Sequence, residues 1–240
     1  MNTDIATNLQ NLQSRISEIC SSCGRQTDEI TLIGISKTKP VEMIREAVEL
    51  GQVDIGENKV QELIGKMEEL PDERINWHMV GPLQTNKIKY LAKRVNWIQS
   101  VARLKELKEL EKRAGNAGRI INILIQVNIS DEDQKSGCRP DELESILDYA
   151  SGLSHIHTKG LMGIATLTED RDQIRSEFDL LRELKEKYSD QYSEPVSLKH
   201  LSMGMTHDMD IAIEEGATMI RVGTALFGAR DCAITDKEKA

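Results

Sequence analysis

Two lysines stand where an apolar, β-branched run ends: ITLIGIS (30–36) is followed by Lys37, Thr38 and Lys39, then Pro40. A neutral amine attacks carbonyl carbons, and lysine is the usual partner of an aldehyde cofactor through a Schiff base. Near the other end of the chain, LSMGMT (201–206) and RVGT (221–224) gather glycine, serine, threonine and Arg221. Glycines let the backbone approach an anion, successive N–H groups form a concave nest, and Ser202 and Thr224 can add hydroxyl donors. An amine, an arginine and two such loops suit a small phosphorylated ligand, provided the fold brings them together.

The elements that must do so alternate in type. Short apolar runs read as strands near 30–36, 53–56, 76–81, 96–101, 120–129, 155–165, 196–203 and 218–223. Helical punctuation lies between them. Ile5, Leu9, Leu12, Ile16 and Ile19 draw one stripe on a first helix. Pro40 opens a helix that Gly51 closes, and Gly115 follows the basic turn Lys112–Arg113. Pro140 opens another helix, Thr168 precedes a long charged one over about 170–188, and Asp208 and Asp210 start the next, before Gly216. Eight strands alternating with helices predict an α/β chain: a single (β/α)8 TIM barrel over 1–240, with an additional N-terminal helix. A doubly wound open sheet is the alternative.

In a barrel the site lies at the C-terminal ends of the strands, and strand parity says what points there. Ile33, Ile35 and Lys37 share one face. Met219, Arg221 and Gly223 share another, opposite the apolar Ile220 and Val222. Lys37 therefore belongs at the inner rim and Arg221 in the mouth. Parity admits Lys39 too, but a helix starting at Pro40 puts Lys39 at its N-cap, more exposed. The plainer accounts are a surface charge for the lysine and an internal ion pair for the arginine.

Composition narrows the function classes. The chain of 240 residues is 39% hydrophobic and 30% charged, with net charge −9. That balance argues against nucleic acid or an anionic membrane as partner, since both need a basic footprint. No apolar run reaches membrane-spanning length, and the start, MNTDIATNLQNLQ, lacks the features of a signal peptide, so a cytoplasmic location is expected. The cysteines are Cys20, Cys23, Cys138 and Cys232. The Cys20-x-x-Cys23 pair has no second pair to complete a zinc site, and His155-x-His157 lacks a third ligand, so no metal is expected.

Longer segments carry a resemblance. GISKTKP (34–40), DIGENKVQE (54–62), WHMVGPLQTNK (77–87), VNISDEDQKSG (127–137), LMGIA (161–165) and the stretch from LSMGMTHDMD to TALFGAR (201–230) resemble the YggS/PROSC family of pyridoxal 5′-phosphate (PLP) homeostasis proteins, over roughly residues 5–231. That family is similar to the barrel domain of alanine racemase. The resemblance implies that Lys37 holds PLP through a Schiff base and that Arg221 faces the pyridine nitrogen. It implies that Ser202, Gly223 and Thr224 bind the phosphate, with Met203 and Gly204 in the same loop and Asn58 beside the ring. His78, Gln84 and Asn86 match a further motif of the family. Where the family often carries serine after LSMGM, Thr206 keeps the hydroxyl.

The resemblance also implies a role. A racemase needs a second acid/base on the opposite face, which alanine racemase takes from a tyrosine of a separate domain of the partner subunit. Here Tyr90, Tyr149, Tyr188 and Tyr192 fall in helices or a helix–strand connection. The expected function is PLP homeostasis: holding, buffering or delivering PLP, with apo PLP-dependent enzymes as possible recipients, no dedicated turnover and a monomeric state. A PLP-dependent racemase with a one-base mechanism is the rival.

Overall fold

The computed structural model describes residues 4–130 and 136–229. Its strands are β1 (Thr31–Ile35), β2 (Asp54–Glu57), β3 (Asn76–Met79), β4 (Trp97–Val101), β5 (Ile121–Gln126), β6 (Ile156–Met162), β7 (Val196–Ser202) and β8 (Met219–Val222). They pair in sequence order into a closed barrel. The neighbouring strands are parallel, including β1 with β8, where Thr31 meets Met219 and Ile33 meets Arg221. That pairing is the seam at which the first and last strands close the ring. The closed β1–β8 pairing rules out the open-sheet alternative.

The helices are α1 (Ile5–Cys23), α2 (Val41–Glu49), α3 (Val60–Glu69), α4 (Ile88–Leu91), α5 (Leu104–Ala117), α6 (Leu143–Ser151), α7 (Arg171–Ser189), α8 (Met209–Glu214) and α9 (Thr224–Phe227). Apolar side chains occupy two places. Most lie between strands and helices, as with Ile55, Leu107, Phe178, Ile220 and Val222. A smaller set, Ile33, Ile35, Val80, Leu124, Met162 and Met219, fills the lumen. Parity on β1 and β8 thus sorts the side chains as the sequence predicts.

The N-terminal helix is bolted to the last elements. Asp4 caps it by accepting from the Thr7 amide at 3.0 Å. Ile5, Leu9, Leu12 and Ile16 of its stripe are buried, and the stripe ends on the buried Cys20, with Ile19 only partly covered. Three side chains then donate to distant carbonyls: Asn8 to Leu226 at 3.0 Å, Arg15 to Thr206 at 3.1 Å, and Arg25 to Ala217 at 2.6 Å.

Some predicted boundaries move. Pro40 is the N-cap of α2 rather than its first residue, so Lys39 lies one position before the cap. Gly115 lies inside α5, with His155 ring atoms 3.3 Å from where its Cβ would sit. The left-handed residue that ends the helix is Gly118, at φ 61. β5 stops at Gln126 and β6 at Met162, short of the apolar runs that contain them.

Candidate functional site

A cavity of about 300 Å³ opens at the C-terminal ends of the strands. Lys37 and Lys39 enter it after β1, Asn58 after β2, Val80 after β3 and Ile164 after β6. Met205, Thr206 and His207 come from the β7–α8 loop, and Arg221, Gly223, Thr224 and Gly228 from β8 and α9. Ile35 and Met162 add apolar wall. Among the described residues no carboxylate lines it.

The segment bearing Lys37 is pinned on both sides. Lys66, buried on α3, donates to the Ser36 carbonyl at 2.7 Å and to Glu62 at 2.8 Å, and pairs with the fully buried Glu57. Ser36 Oγ donates to the same Glu57 oxygen at 2.8 Å, and the Asn58 amide to the other at 3.1 Å. Glu62 also accepts from the Thr38 amide at 2.5 Å. Thr38 sits at φ 63, a left-handed conformation that a β-branched residue adopts only under constraint. The constraint is this ion cluster, which fixes the residues on either side of Lys37. Burial pushes the Glu57 carboxyl above its usual range, and the Lys66 ammonium offsets only part of that rise. Lys37 and Lys39 are both half-buried, against the expectation that Lys39 is the more exposed. Lys39 Nζ donates to the Ala229 carbonyl at 2.5 Å.

Arg221 forms the floor. It is 5% exposed, and it donates through Nη1 to Ser202 Oγ at 2.7 Å and through Nη2 to the Gly163 carbonyl at 2.9 Å. Neither partner is charged. Burial brings its guanidinium down to about 10, with the Asp208 carboxylate opposing the shift. It is therefore a cation at neutral pH with donors to spare, since a guanidinium carries five. The internal ion pair that the sequence allowed is not present among the described residues.

Two close approaches shape the rim. A Cβ on Gly81 would lie 2.1 Å from the Asn58 carbonyl oxygen, so only glycine lets the β3 exit run against the β2 exit. Gly204, at φ 89, turns the chain after β7; a Cβ there would meet Ala212 Cβ at 2.4 Å. The Met205 amide donates to Asp208 at 2.6 Å, and the Arg15 bond to Thr206 braces the loop from behind.

Of the predicted site residues, Lys37, Asn58, Arg221, Gly223 and Thr224 come together in the lining. Ser202, Met203 and Gly204 do not. Ser202 lies beneath the cavity, fully buried, and its hydroxyl accepts from Arg221 and donates to Gln99 Oε1 at 2.7 Å. The one hydroxyl hydrogen of Ser202 is thus committed to Gln99, and the loop hydroxyl that lines the cavity is that of Thr206. The reason is position: Ser202 ends β7 pointing inward, whereas Thr206 is four residues into the loop. Its hydroxyl, kept where the family often has serine, was the available signal. Met205 and His207 carried none. From the third motif His78 is buried in the lumen, while Gln84 and Asn86 are exposed.

Other sequence features stay apart from the cavity. Tyr188 and Tyr192 donate to Glu144 and Asp148, and Tyr90 is exposed on α4. His155 pairs with Glu111 at 2.8 Å. Among the described residues no group of three ligating side chains could hold a metal. Residues 131–135 of the fourth motif, Arg230 and Cys232 lie outside the described residues.

Fold and site together define a (β/α)8 barrel protein with a lysine amine and a cationic floor in its mouth. The chain belongs to the alanine racemase N-terminal domain family, whose model its residues 7–231 match, and within it to the pyridoxal phosphate homeostasis proteins. A pyridoxal phosphate homeostasis protein of Aquifex aeolicus is 42% identical over 222 residues, which cover 92% of this chain and 96% of that one. PipY of Synechococcus elongatus PCC7942, solved with PLP bound, superposes with a TM-score of 0.83 at 35% identity, covering 94% of this chain and 100% of that one. Alanine racemase of Clostridium difficile 630 superposes with a TM-score of 0.75 at 13% identity, and 56% of its chain is covered. That likeness shows a shared fold.

Proposed function

We propose that the cavity binds PLP and that the chain serves PLP homeostasis, holding, buffering or delivering the cofactor without a turnover of its own. The observation that carries this is the donor set. A half-buried primary amine, a buried arginine hydrogen-bonded only to neutral groups and two threonines line one cavity, and among the described residues no carboxylate joins them. The net charge of −9 makes such a local excess of cations the more telling. The relatives named for PLP homeostasis and the PLP-bound PipY support the same choice.

Bound there, PLP supplies an aldehyde that condenses with an amine and a ring that draws electrons from it. Lys37 Nζ is the amine placed for that condensation, held at the rim by the Glu57–Lys66–Glu62 cluster. Thr206, Thr224 and the first amides of α9 are the donors for a phosphate, because opening helical N–H groups lack intrahelical partners. Ile35, Val80 and Met162 offer apolar surface to a flat ring. Arg221 only donates, so it would suit an unprotonated ring nitrogen, an arrangement that would weaken carbanion stabilisation. Asn58 lines the cavity beside Lys37. The same reading takes residues 1–240 as one domain and the protein as a cytoplasmic monomer, with apo PLP-dependent enzymes as recipients. Among the described residues no helix is long and apolar enough to cross a membrane.

Borohydride reduction of PLP-treated protein, followed by peptide mass spectrometry, tests the site. The expected result is a phosphopyridoxyl group on Lys37, lost in Lys37→Ala. A label elsewhere, or none, overturns the assignment. Racemisation of alanine by the purified protein, abolished by Lys37→Ala, would replace holding with catalysis.

A further inference from the structure

A chain of hydrogen bonds crosses the barrel lumen from the cavity to the opposite end. Arg221 Nη1 meets Ser202 Oγ at 2.7 Å, Ser202 Oγ meets Gln99 Oε1 at 2.7 Å, Gln99 Nε2 meets His78 Nδ1 at 3.0 Å, and His78 Nε2 meets Asp54 Oδ1 at 3.0 Å. Ser202, Gln99 and His78 are fully buried, while the Asp54 side chain is 22% exposed. Asp54 opens β2, at the N-terminal face of a parallel barrel, and the cavity lies at the C-terminal face. Trp97 stacks on the His78 ring, centroids 5.8 Å apart and 6° from parallel, and holds its plane.

The two ends fix the direction of every bond. Arginine only donates and an ionised carboxylate only accepts. Arg221 donates to Ser202 Oγ, so the hydroxyl hydrogen is free to go to Gln99 Oε1. The Gln99 amide nitrogen then faces His78 Nδ1, which must accept, and the ring hydrogen sits on Nε2, facing Asp54. Turning the amide over would leave the Ser202 hydrogen without an acceptor and demand a hydrogen on both ring nitrogens. Only one arrangement satisfies each group once, with a neutral imidazole, and in it all the dipoles align from Arg221 towards Asp54. Aligned hydrogen bonds polarise one another.

We propose that Asp54, His78, Gln99 and Ser202 are positioning residues for Arg221: a carboxylate at one face of the barrel, acting through a directed hydrogen-bond chain, orients the guanidinium that faces the cavity at the other. None of the four lines the cavity. The chain holds one Nη1 hydrogen away from the cavity and thereby fixes the plane in which the remaining donors meet a ligand. The proposal rests on the PLP reading for its ligand, but not for the chain itself.

Two measurements test it. In the ligand-free protein, nitrogen NMR of the histidine rings is expected to show His78 as the Nε2–H tautomer, and Ser202→Ala, two hydrogen bonds away, to move its Nδ1 resonance. An Nδ1–H tautomer, or a resonance that Ser202→Ala leaves in place, overturns the chain whether or not PLP binds. In the PLP-loaded protein, Ser202→Ala and His78→Met are each expected to weaken PLP affinity three- to tenfold and to shift the cofactor's absorbance band. The double variant should lose no more than the worse single one, because either break disconnects the same line. Asp54→Asn should move affinity the same way by less. Additive losses in the double variant, or unchanged affinity and spectrum in singles with wild-type circular dichroism, overturn the positioning role. Absence of the Lys37 adduct in the wild type would instead count against the PLP reading.

Discussion

Two cations are buried among the described residues, and the barrel treats them in opposite ways. Lys66 has two carboxylates and a carbonyl around its ammonium. Arg221 has a hydroxyl and a carbonyl. Removing a charge from water costs several kcal/mol, and only a close counter-charge with further hydrogen bonds repays it. Lys66 is repaid within the protein and holds its surroundings in place. Arg221 is not, and the shortfall faces a cavity. The contrast separates a cation that builds a site from one that waits for a ligand.

The comparison makes its strongest claim at Lys66. Lys66→Met strands Glu57 in an apolar setting and should cost about 3–5 kcal/mol of stability, read from urea unfolding. Arg221→Met removes no ion pair and should cost about 1–2 kcal/mol, for the hydroxyl and carbonyl left without a donor. Its main effect should be on the ligand, with PLP affinity falling about tenfold or more by titration. Equal destabilisation by the two substitutions would break the contrast. Thr38→Gly sharpens it from the side of the Lys66 cluster. Relief of the left-handed strain, offset by the flexibility of glycine, should raise stability by about 0.5 kcal/mol. A loss would mean that the threonine side chain is itself needed.

The smallest effect concerns a group that the lumen leaves uncharged. Burial first, then nearby Lys159, Lys199 and Lys185, hold the His200 imidazole below its usual range. The native state then binds fewer protons than the unfolded chain as pH falls below about 6.5. Stability should decline on acidification from there down to the folded value, and His200→Gln should flatten that part of the profile. A slope that the substitution leaves unchanged would assign the loss to other groups.

Much of this was legible beforehand, for reasons that are local. Alternation along ITLIGIS and MIRVG put Lys37 and Arg221 on inner faces, and the count of apolar runs closed the barrel around them. The nine-residue step from Glu57 to Lys66 crosses a strand end and enters a helix, and nothing in that spacing announces an ion pair. The resemblance assigns Ser202 to a phosphate, while its place as the last inward residue of β7 puts its hydroxyl between Arg221 and Gln99, a link that loop composition does not announce. The line from Asp54 through His78 and Gln99 joins residues far apart in the chain, each inward on its own strand. Parity shows that each points in, but not that they meet.

The seam between β1 and β8 gives the cavity a history as well as a shape. Lys37 stands on one lip of that closure, and Arg221, Gly223 and Thr224 stand on the other. Bonds separated by 191 and 218 residues, from Arg15 and Asn8, bolt the two ends together behind it. During synthesis the first lip emerges long before the second, so the pocket is absent until nearly the last strand has left the ribosome. Contacts so distant in sequence form late. A ligand that grips both lips acts as a clasp on the finished ring, lending its binding energy to the one joint that the growing chain completes last.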